Sequence, residues 1–298
     1  MKETILVTGG TGFIGYHLLK KLKRKFSIFS ISSKKPSTKR KIKNVKYLNC
    51  DISKRKSLFN KLNKLRKIDY VINLAGYVDH SNKKKTSETH YYGCKHLVDF
   101  FTSKKIKLFI QIGSSLEYGN QKIPHHEKLK CYPIGTYGKS KLKSTKYILK
   151  ISKKKNLPSM ILRLYQIYGP NQSINRLIPT AIDSCLKNKK FKCSSGIQIR
   201  DFLYVEDLID LINQIICTKK RIRGIYNVGS NNPKRVIDII NTIQNKIKKG
   251  QPLFGEISMR KDEQMKYFPS TQKLSKILSW KPKTSINSGL NQTIKSYR

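Results

Sequence analysis

The sequence predicts an α/β protein built on a parallel, doubly wound sheet. Three observations lead there. The β-branched run Thr4-Ile5-Leu6-Val7-Thr8 passes through Gly9-Gly10-Thr11-Gly12-Phe13-Ile14-Gly15 into a segment with Ile14, Leu18, Leu19 and Leu22 at helical spacing. Apolar, strand-like runs then alternate with helical patterns through the first half of the chain. The 298 residues leave room for one large domain or two modest ones, each with its own core.

The glycine-rich turn between the first strand and helix is a phosphate site by construction. Glycine lets the backbone turn sharply and approach a pyrophosphate, while the exposed N–H groups and positive end of the helix stabilise the anion. Gly9, Gly12, Phe13, Ile14 and Gly15 are therefore candidate dinucleotide contacts. A tight turn beside a core strand is the plainer alternative. Residues 26–31 alternate as a second strand, and the residue after such a strand meets the adenosine ribose. An acid there would accept the 2′-hydroxyl of NAD and repel the 2′-phosphate of NADP. Ser32, Ser33, Lys34 and Lys35 stand there instead, with Arg40 beyond, so NADP is preferred over NAD as the expected cofactor. An ordinary basic loop in a lysine-rich chain is the alternative.

Residues 45–52 read as a third strand ending in Asp51 and Ile52. Asp51 could accept from the adenine amino group with Ile52 against the ring, or simply cap the helix that follows Ser53. A polar helix with Leu58, Leu62 and Leu65 precedes a buried strand at residues 70–76, whose end places Leu74 and Ala75 beside the cofactor. Asp79 and His80 follow on a polar loop. A helix with Tyr92, His96, Leu97, Phe100 and Phe101 leads to a fifth strand at 108–112, ending in Gly113-Ser114-Ser115-Leu116-Glu117-Tyr118-Gly119. Ligands bind at the C-terminal ends of parallel strands, which makes the serine pair a candidate site as well as a candidate turn. The run Pro124-His125-His126-Glu127 lacks further clustered ligands and is expected to be a surface turn, with no metal site. Tyr137 and Lys141, four apart at the opening of the next helix, lie on one face. An ammonium beside a phenol favours the phenolate and lowers its pKa from ~10 towards working pH, giving a usable acid/base for a sugar hydroxyl or ketone.

Composition bounds the remaining classes. Sixty-three basic against seventeen acidic residues give a net charge of +46. The excess is mostly lysine spread along the chain with abundant isoleucine and asparagine, a general bias rather than a shaped stripe, and lysine is the poorer bidentate phosphate ligand. No specific nucleic-acid partner is expected, only salt-sensitive adhesion to polyanions. The six cysteines form no CxxC pair and are expected as buried, reduced thiols. No apolar run approaches the ~20 residues that span a bilayer, and the N-terminus enters a strand at once, so no membrane association and a cytoplasmic location are expected.

These motifs together resemble the extended short-chain dehydrogenase/reductases of the NAD-dependent epimerase/dehydratase family. The resemblance covers essentially the whole chain: the glycine turn, the Ser114 turn, Tyr137 with Lys141, Arg163-Leu164-Tyr165-Gln166-Ile167-Tyr168-Gly169-Pro170, Arg200-Asp201-Phe202-Leu203-Tyr204-Val205-Glu206-Asp207-Leu208, Tyr226-Asn227-Val228-Gly229 and Trp280-Lys281-Pro282. It implies a Rossmann-type core over residues 1 to about 165, completed by 197–229, and a smaller substrate-binding lobe from 166–196 and 230–298. It implies enzymes of polysaccharide biosynthesis acting on nucleotide-diphosphate sugars as homodimers. By the same resemblance Tyr137 is the acid/base, Lys141 tunes it and holds the cofactor ribose, and Ser114 hydrogen-bonds the reacting oxygen. Ser115, Gln166, Arg200 and Arg260 match substrate-binding positions, the arginines holding the diphosphate or else pairing with Asp201 and Asp262 at the surface.

Departures narrow the reaction. Family dehydratases carry acids just after the serine or threonine matching Ser114, where this chain has Ser115 and Leu116, with Glu117 displaced by one. In a strand-like segment that shift turns the side chain to the other face. Asn73 stands where histidine is frequent, His90 where asparagine is common, and Gln166 replaces another asparagine. The C-terminal part is similar to CDP-abequose synthase-like 4-keto-sugar reductases. Reduction of a 4-keto-6-deoxy nucleotide sugar is therefore the leading expectation, with 4-epimerisation on tightly bound NAD and 4,6-dehydration behind it. A cofactor-binding sensor or polyanion-binding protein without turnover is the non-enzymatic alternative, and the intact Ser114, Tyr137 and Lys141 set argues against it.

Overall fold

The structure, a computed structural model, describes residues 2–65, 67–79, 81–259 and 263–298. It divides into two compact units, one from Met1–Gln121, Glu127–Leu164 and Ile209–Tyr226, the other from Lys122–His126, Tyr165–Leu208 and Asn227–Arg298.

The first unit is organised by strands β1 (Thr4–Thr8), β2 (Ser27–Ser32), β3 (Val45–Asn49), β4 (Tyr70–Asn73), β5 (Leu108–Ser114) and β6 (Ser159–Leu164). With the strand Gly224–Val228 they form one seven-stranded parallel sheet, ordered β3-β2-β1-β4-β5-β6 and then Gly224–Val228 at the edge beside β6. The register pairs Thr8 with Ile31 on one side and with Asn73 on the other. Chain direction across the sheet reverses between β1 and β4, and ligands of doubly wound folds bind outside the strand ends at that point. Helices α1 (Phe13–Leu22), α2 (Arg55–Asn63), α3 (Lys83–Ser87), α4 (Cys94–Thr102) and α5 (Thr136–Lys155) cross between strands. Strands covered on both faces read as continuous apolar runs, as β5 does with every residue buried. The core joins Leu6, Val71, Phe109 and Ile161 of the sheet to Leu58 and Leu62 of α2, Leu97, Val98 and Phe101 of α4, and Ile148 of α5.

Helix α4 begins later than its apolar spacing predicts, because a π-helical turn occupies Glu88–Gly93. A wider turn shifts the side-chain register, so a strict 3.6-residue reading places Tyr92 wrongly relative to Leu97.

In the second unit, helix Leu177–Leu186 packs Ile178 and Ile182 against Ile239, Ile240 and Ile243 of helix Val236–Ile247, and Leu290 and Ile294 of helix Ile286–Lys295 complete the cluster. Buried Asp207 accepts from the backbone N–H groups of Lys283 (3.1 Å) and Thr284 (3.2 Å), which explains the Trp280-Lys281-Pro282 turn as an anchored connection. His125 overturns an expectation. It is fully buried, its Nδ1 lies 2.9 Å from the Tyr165 hydroxyl, and its ring meets Tyr267 edge to face at 4.7 Å. The run 124–127 is thus no surface turn at His125, because the imidazole pairs with buried aromatic partners distant in sequence. Among the described residues no His/Cys/Asp/Glu group could hold a metal, and no helix is long and apolar enough to cross a membrane.

Candidate cofactor and acid/base site

The turn after β1 is shaped as its glycines predict. The Gly9 N–H donates to Ile31 O at 2.8 Å and the Gly12 N–H to Gly9 O at 3.0 Å. A Cβ on Gly15 would lie 2.3 Å from Gly9 O, so only glycine lets α1 approach the turn this closely. Gly12 caps α1 without a side-chain bond, and the first turn carries no acid. The free N–H groups from Phe13 and Ile14 onward fit a pyrophosphate, since they and the helix dipole favour an anion.

Beyond β2, a cavity of about 250 Å³ is lined by Thr11, Ser32, Lys34, Lys35, Lys41 and Tyr47. Arg40 Nη1 donates to Thr11 O at 3.2 Å, bringing another cation to the glycine turn. No acid lines this cavity, and three lysines do. Ser33 is exposed, with its carbonyl 3.5 Å from Asn49 Nδ2. Sequence reading had placed Lys34 here but missed Lys41 and Tyr47, which arrive from β3 and its approach. A larger open groove of about 810 Å³ runs along α2, lined by Lys54, Arg55, Lys56 and Lys61, and contains none of the acid/base candidates.

Asp51 Oδ1 accepts from the Ser53 N–H at 2.9 Å, a local turn that leaves its other oxygen for a ligand. Ile52 is buried in the core, and a Cβ on Gly93 would meet it at 2.5 Å. Leu74 and Ala75 hang from β1: the Leu74 N–H donates to Thr8 O (3.1 Å) and the Ala75 N–H reaches Thr8 Oγ1 (3.3 Å). Behind them runs a buried polar ladder. Thr8 Oγ1 donates to Asn73 Oδ1 (2.5 Å), Asn73 Nδ2 to Gln111 Oε1 (2.7 Å), and Cys94 Sγ to the same oxygen (3.1 Å). Burial pushes the Cys94 thiol up to about 12, so it stays protonated and serves as a donor. Asn73 is accounted for by this ladder.

At the end of β5, Ser114 caps the 3₁₀ turn Ser115–Glu117, its hydroxyl accepting from the Leu116 N–H at 3.2 Å. A hydroxyl that accepts one bond still has its own proton to donate. Ser115 is buried and Leu116 is 49% exposed. Glu117 is fully buried and committed: its Oε2 accepts from Thr145 Oγ1 (2.8 Å) and Arg163 Nε (3.0 Å) and lies 2.9 Å from Arg163 Nη2 in an ion pair, and its Oε1 accepts from the Ser114 N–H (2.9 Å). This acid is thus held in a buried ion pair with Arg163.

Tyr137 lies half-buried at the start of α5, with the Lys141 ammonium 5.7 Å from its ring centroid. Lys141 is buried, and its Nζ donates to Ile112 O at 2.7 Å. An ammonium has three N–H donors, so two are left for other acceptors. A Cβ on Gly138 would lie 2.5 Å from Leu116 O, which brings the first turn of α5 onto the Ser114 turn. The His90 ring stands edge to face on Tyr137 at 4.8 Å, and the Tyr77 N–H lies 3.2 Å from His90 Nε2. Ser144 Oγ holds the His90 carbonyl at 2.6 Å. Ser144 is seven residues from Tyr137 and so faces the same way, the signal by which sequence reading could have found this wall.

The remaining candidates lie in the second unit. Gln166 is exposed, and its backbone N–H donates to Asp201 O at 3.0 Å. Arg200 is ion-paired with Glu263 and donates from Nη1 to Ile199 O at 2.8 Å; burial lowers its pKa against that pairing. Asp201 does not pair with Arg200. It is buried, with its pKa raised by burial, and accepts from the Ser230 N–H at 2.5 Å. Arg260, His80 and Asp262 fall outside the described residues.

The model of the NAD dependent epimerase/dehydratase family matches residues 5–229. A dTDP-D-glucose 4,6-dehydratase of Dictyostelium discoideum is 31% identical over 273 residues, covering 82% of this chain and 62% of its own length. A trifunctional UDP-glucose 4,6-dehydratase/UDP-4-keto-6-deoxy-D-glucose 3,5-epimerase/UDP-4-keto-L-rhamnose-reductase of Arabidopsis thaliana is 26% identical over 99% of this chain. This chain spans about half of that relative, 47% of its length. Among solved structures, the UDP-glucuronic acid 4-epimerase of Bacillus cereus in complex with UDP-glucuronic acid and NAD is 26% identical, with a TM-score of 0.89 over 98% of both chains. The UDP-glucose 4-epimerase of Thermotoga maritima with UDP-glucose shares the fold at a TM-score of 0.91 and 22% identity, over 99% of this chain and 98% of its own.

Proposed function

This chain belongs to the NAD-dependent epimerase/dehydratase family, and we propose that it reduces the 4-keto group of a 4-keto-6-deoxy nucleotide sugar with NADPH as an exchangeable reductant. The observation that carries this reading is the Ser114 turn, where Ser114 stands beside the Tyr137 helix while Glu117 is sequestered by Arg163 and Thr145. Acid/base chemistry at one sugar oxygen is served there, and removal of a distant hydroxyl is not. The glycine turn, the cavity beyond β2, and Leu74 with Ala75 fit a nicotinamide dinucleotide, which supplies a hydride when bound. Tyr137 gives its phenolic proton to the oxygen at C4 of the sugar, where negative charge develops. Ser114 donates a second hydrogen bond to that oxygen. Lys141 stabilises the phenolate left on Tyr137 and offers its remaining N–H groups to the cofactor ribose. Gln166 and Arg200, in the second unit, are the proposed contacts for the nucleotide diphosphate.

Profiling against nucleotide sugars tests this reading. Purified protein is expected to carry little bound NAD and to oxidise NADPH with a 4-keto-6-deoxy substrate. With intact CDP-, GDP- or dTDP-linked hexoses it is expected to give no product lighter by one water in mass spectrometry. Loss of water would show that an acid reaches the sugar after all.

Cofactor choice has its own test. Three lysines line the cavity beyond β2 without an acid, which suits a 2′-phosphate. Lys34→Glu removes one attraction and adds a repulsion, and is expected to shift the NADPH-over-NADH preference by about tenfold or more, read from the ratio of the two Kd values. An unchanged ratio would assign the lysines to composition alone. The likeness to the Bacillus cereus 4-epimerase favours a second reading, a 4-epimerase that retains NAD. Such a protein would purify saturated with NAD and invert a sugar without added cofactor.

A further inference from the structure

Glu117 takes no part in the acid/base chemistry proposed above, yet its carboxylate is engaged by three other residues. Its two oxygens face different elements. Oε1 receives the Ser114 backbone N–H, and Oε2 receives the Thr145 hydroxyl of α5 and the Nε–H of Arg163 on β6, whose Nη2 completes the ion pair. Thr145 lies eight residues beyond Tyr137 and four beyond Lys141, on the same helical face. A Cβ on Gly113 would lie 2.7 Å from Oε1, so the strand end is bare where the carboxylate enters. Glutamine cannot replace this group. Its amide offers one acceptor oxygen where donors approach from both sides, and its NH₂ would face either the Ser114 N–H or the guanidinium.

We propose that Glu117 is a positioning residue whose carboxylate holds the Ser114 turn in register with the helix that carries Tyr137 and Lys141. The role rests on the acid/base reading of Ser114 and Tyr137. Displacement by an ångström can cost orders of magnitude in rate, so a clamp on the two proton-handling groups acts on turnover and little on binding.

Thr145→Val tests the clamp with the Glu117–Arg163 pair left intact, because it removes one hydroxyl and keeps the shape. Two readouts separate this proposal from the functional one. Hydrogen exchange of the turn at residues 114–118 is expected to quicken about tenfold in Thr145→Val, with β1 unchanged, and to return to the parent rate in Thr145→Ser. With a 4-keto-6-deoxy nucleotide sugar, kcat is expected to fall about tenfold in Thr145→Val at unchanged KM and NADPH Kd, and Thr145→Ser to restore it. Glu117→Leu/Arg163→Met, which replaces the pair by apolar side chains, is expected to fold and bind NADPH while losing about a hundredfold in kcat. Parent exchange rates in Thr145→Val, or parent turnover in the folded double variant, would overturn the proposal. A parent chain inert on every sugar tested would sink the functional reading, and the exchange measurement would then decide the clamp alone.

Discussion

Tyr137→Phe is expected to lower turnover by a factor of ~10² or more while leaving NADPH affinity within about twofold. The substitution deletes one phenolic oxygen and keeps the ring against His90 at its present 4.8 Å contact, so packing at the start of α5 is preserved. The loss then falls on the proton that must reach the sugar oxygen as charge develops there. Steady-state kcat and cofactor fluorescence titration on the same preparation check both halves. Near-parental turnover would remove Tyr137 from the mechanism and leave Ser114 or solvent as the proton source.

The largest stability effect is expected at Arg163. It is 2% exposed, its guanidinium lies 4.5 Å from the Tyr118 ring centroid, and it gives Glu117 a hydrogen bond from Nε and an ion pair from Nη2. Burial works against its charge, and the Glu117 carboxylate, Tyr118 and Cys131 together offset that penalty and hold its pKa above the ordinary guanidinium value. Arg163→Met removes the cation and leaves a carboxylate fully buried, which costs about 3–5 kcal/mol in comparable cases. Urea or guanidinium unfolding should show that loss. Adding Glu117→Leu removes the stranded charge, so the double variant is expected to recover most of it. A single variant as stable as the parent would mean that water reaches Glu117.

Much of the fold was legible because local chemistry and global topology agree. The first strand, the glycine turn and the helix after it carry their own signals in β-branching, backbone freedom and apolar spacing. Tyr137 and Lys141 were legible for the same reason, since spacing of four on a helix is a local property. What sequence reading missed depends on pairing across distance. Burial of His125 comes from Tyr165 and Tyr267, 40 and more than 100 residues away in the chain, and nothing in residues 124–127 announces it. The displacement of Glu117 was visible, but its direction was not, because residues 115–117 form a 3₁₀ turn rather than a strand and the partners Thr145 and Arg163 stand on two other elements. Likewise the ladder through Thr8, Asn73 and Gln111 runs across neighbouring strands and ends on Cys94 of α4, where register rather than spacing decides contact. The π-helical turn before α4 has no compositional signature comparable to a glycine or proline.

The fate of the hydrogen at C4 tests the central reading most directly. Purified protein would be mixed with NADPH deuterated at its transferable position and a 4-keto-6-deoxy nucleotide sugar. The expected result is one deuterium at C4 of the product, with one NADPH oxidised for each sugar reduced. Inversion at C4 of an intact nucleotide sugar, with no deuterium gained and no NADPH consumed, would contradict it.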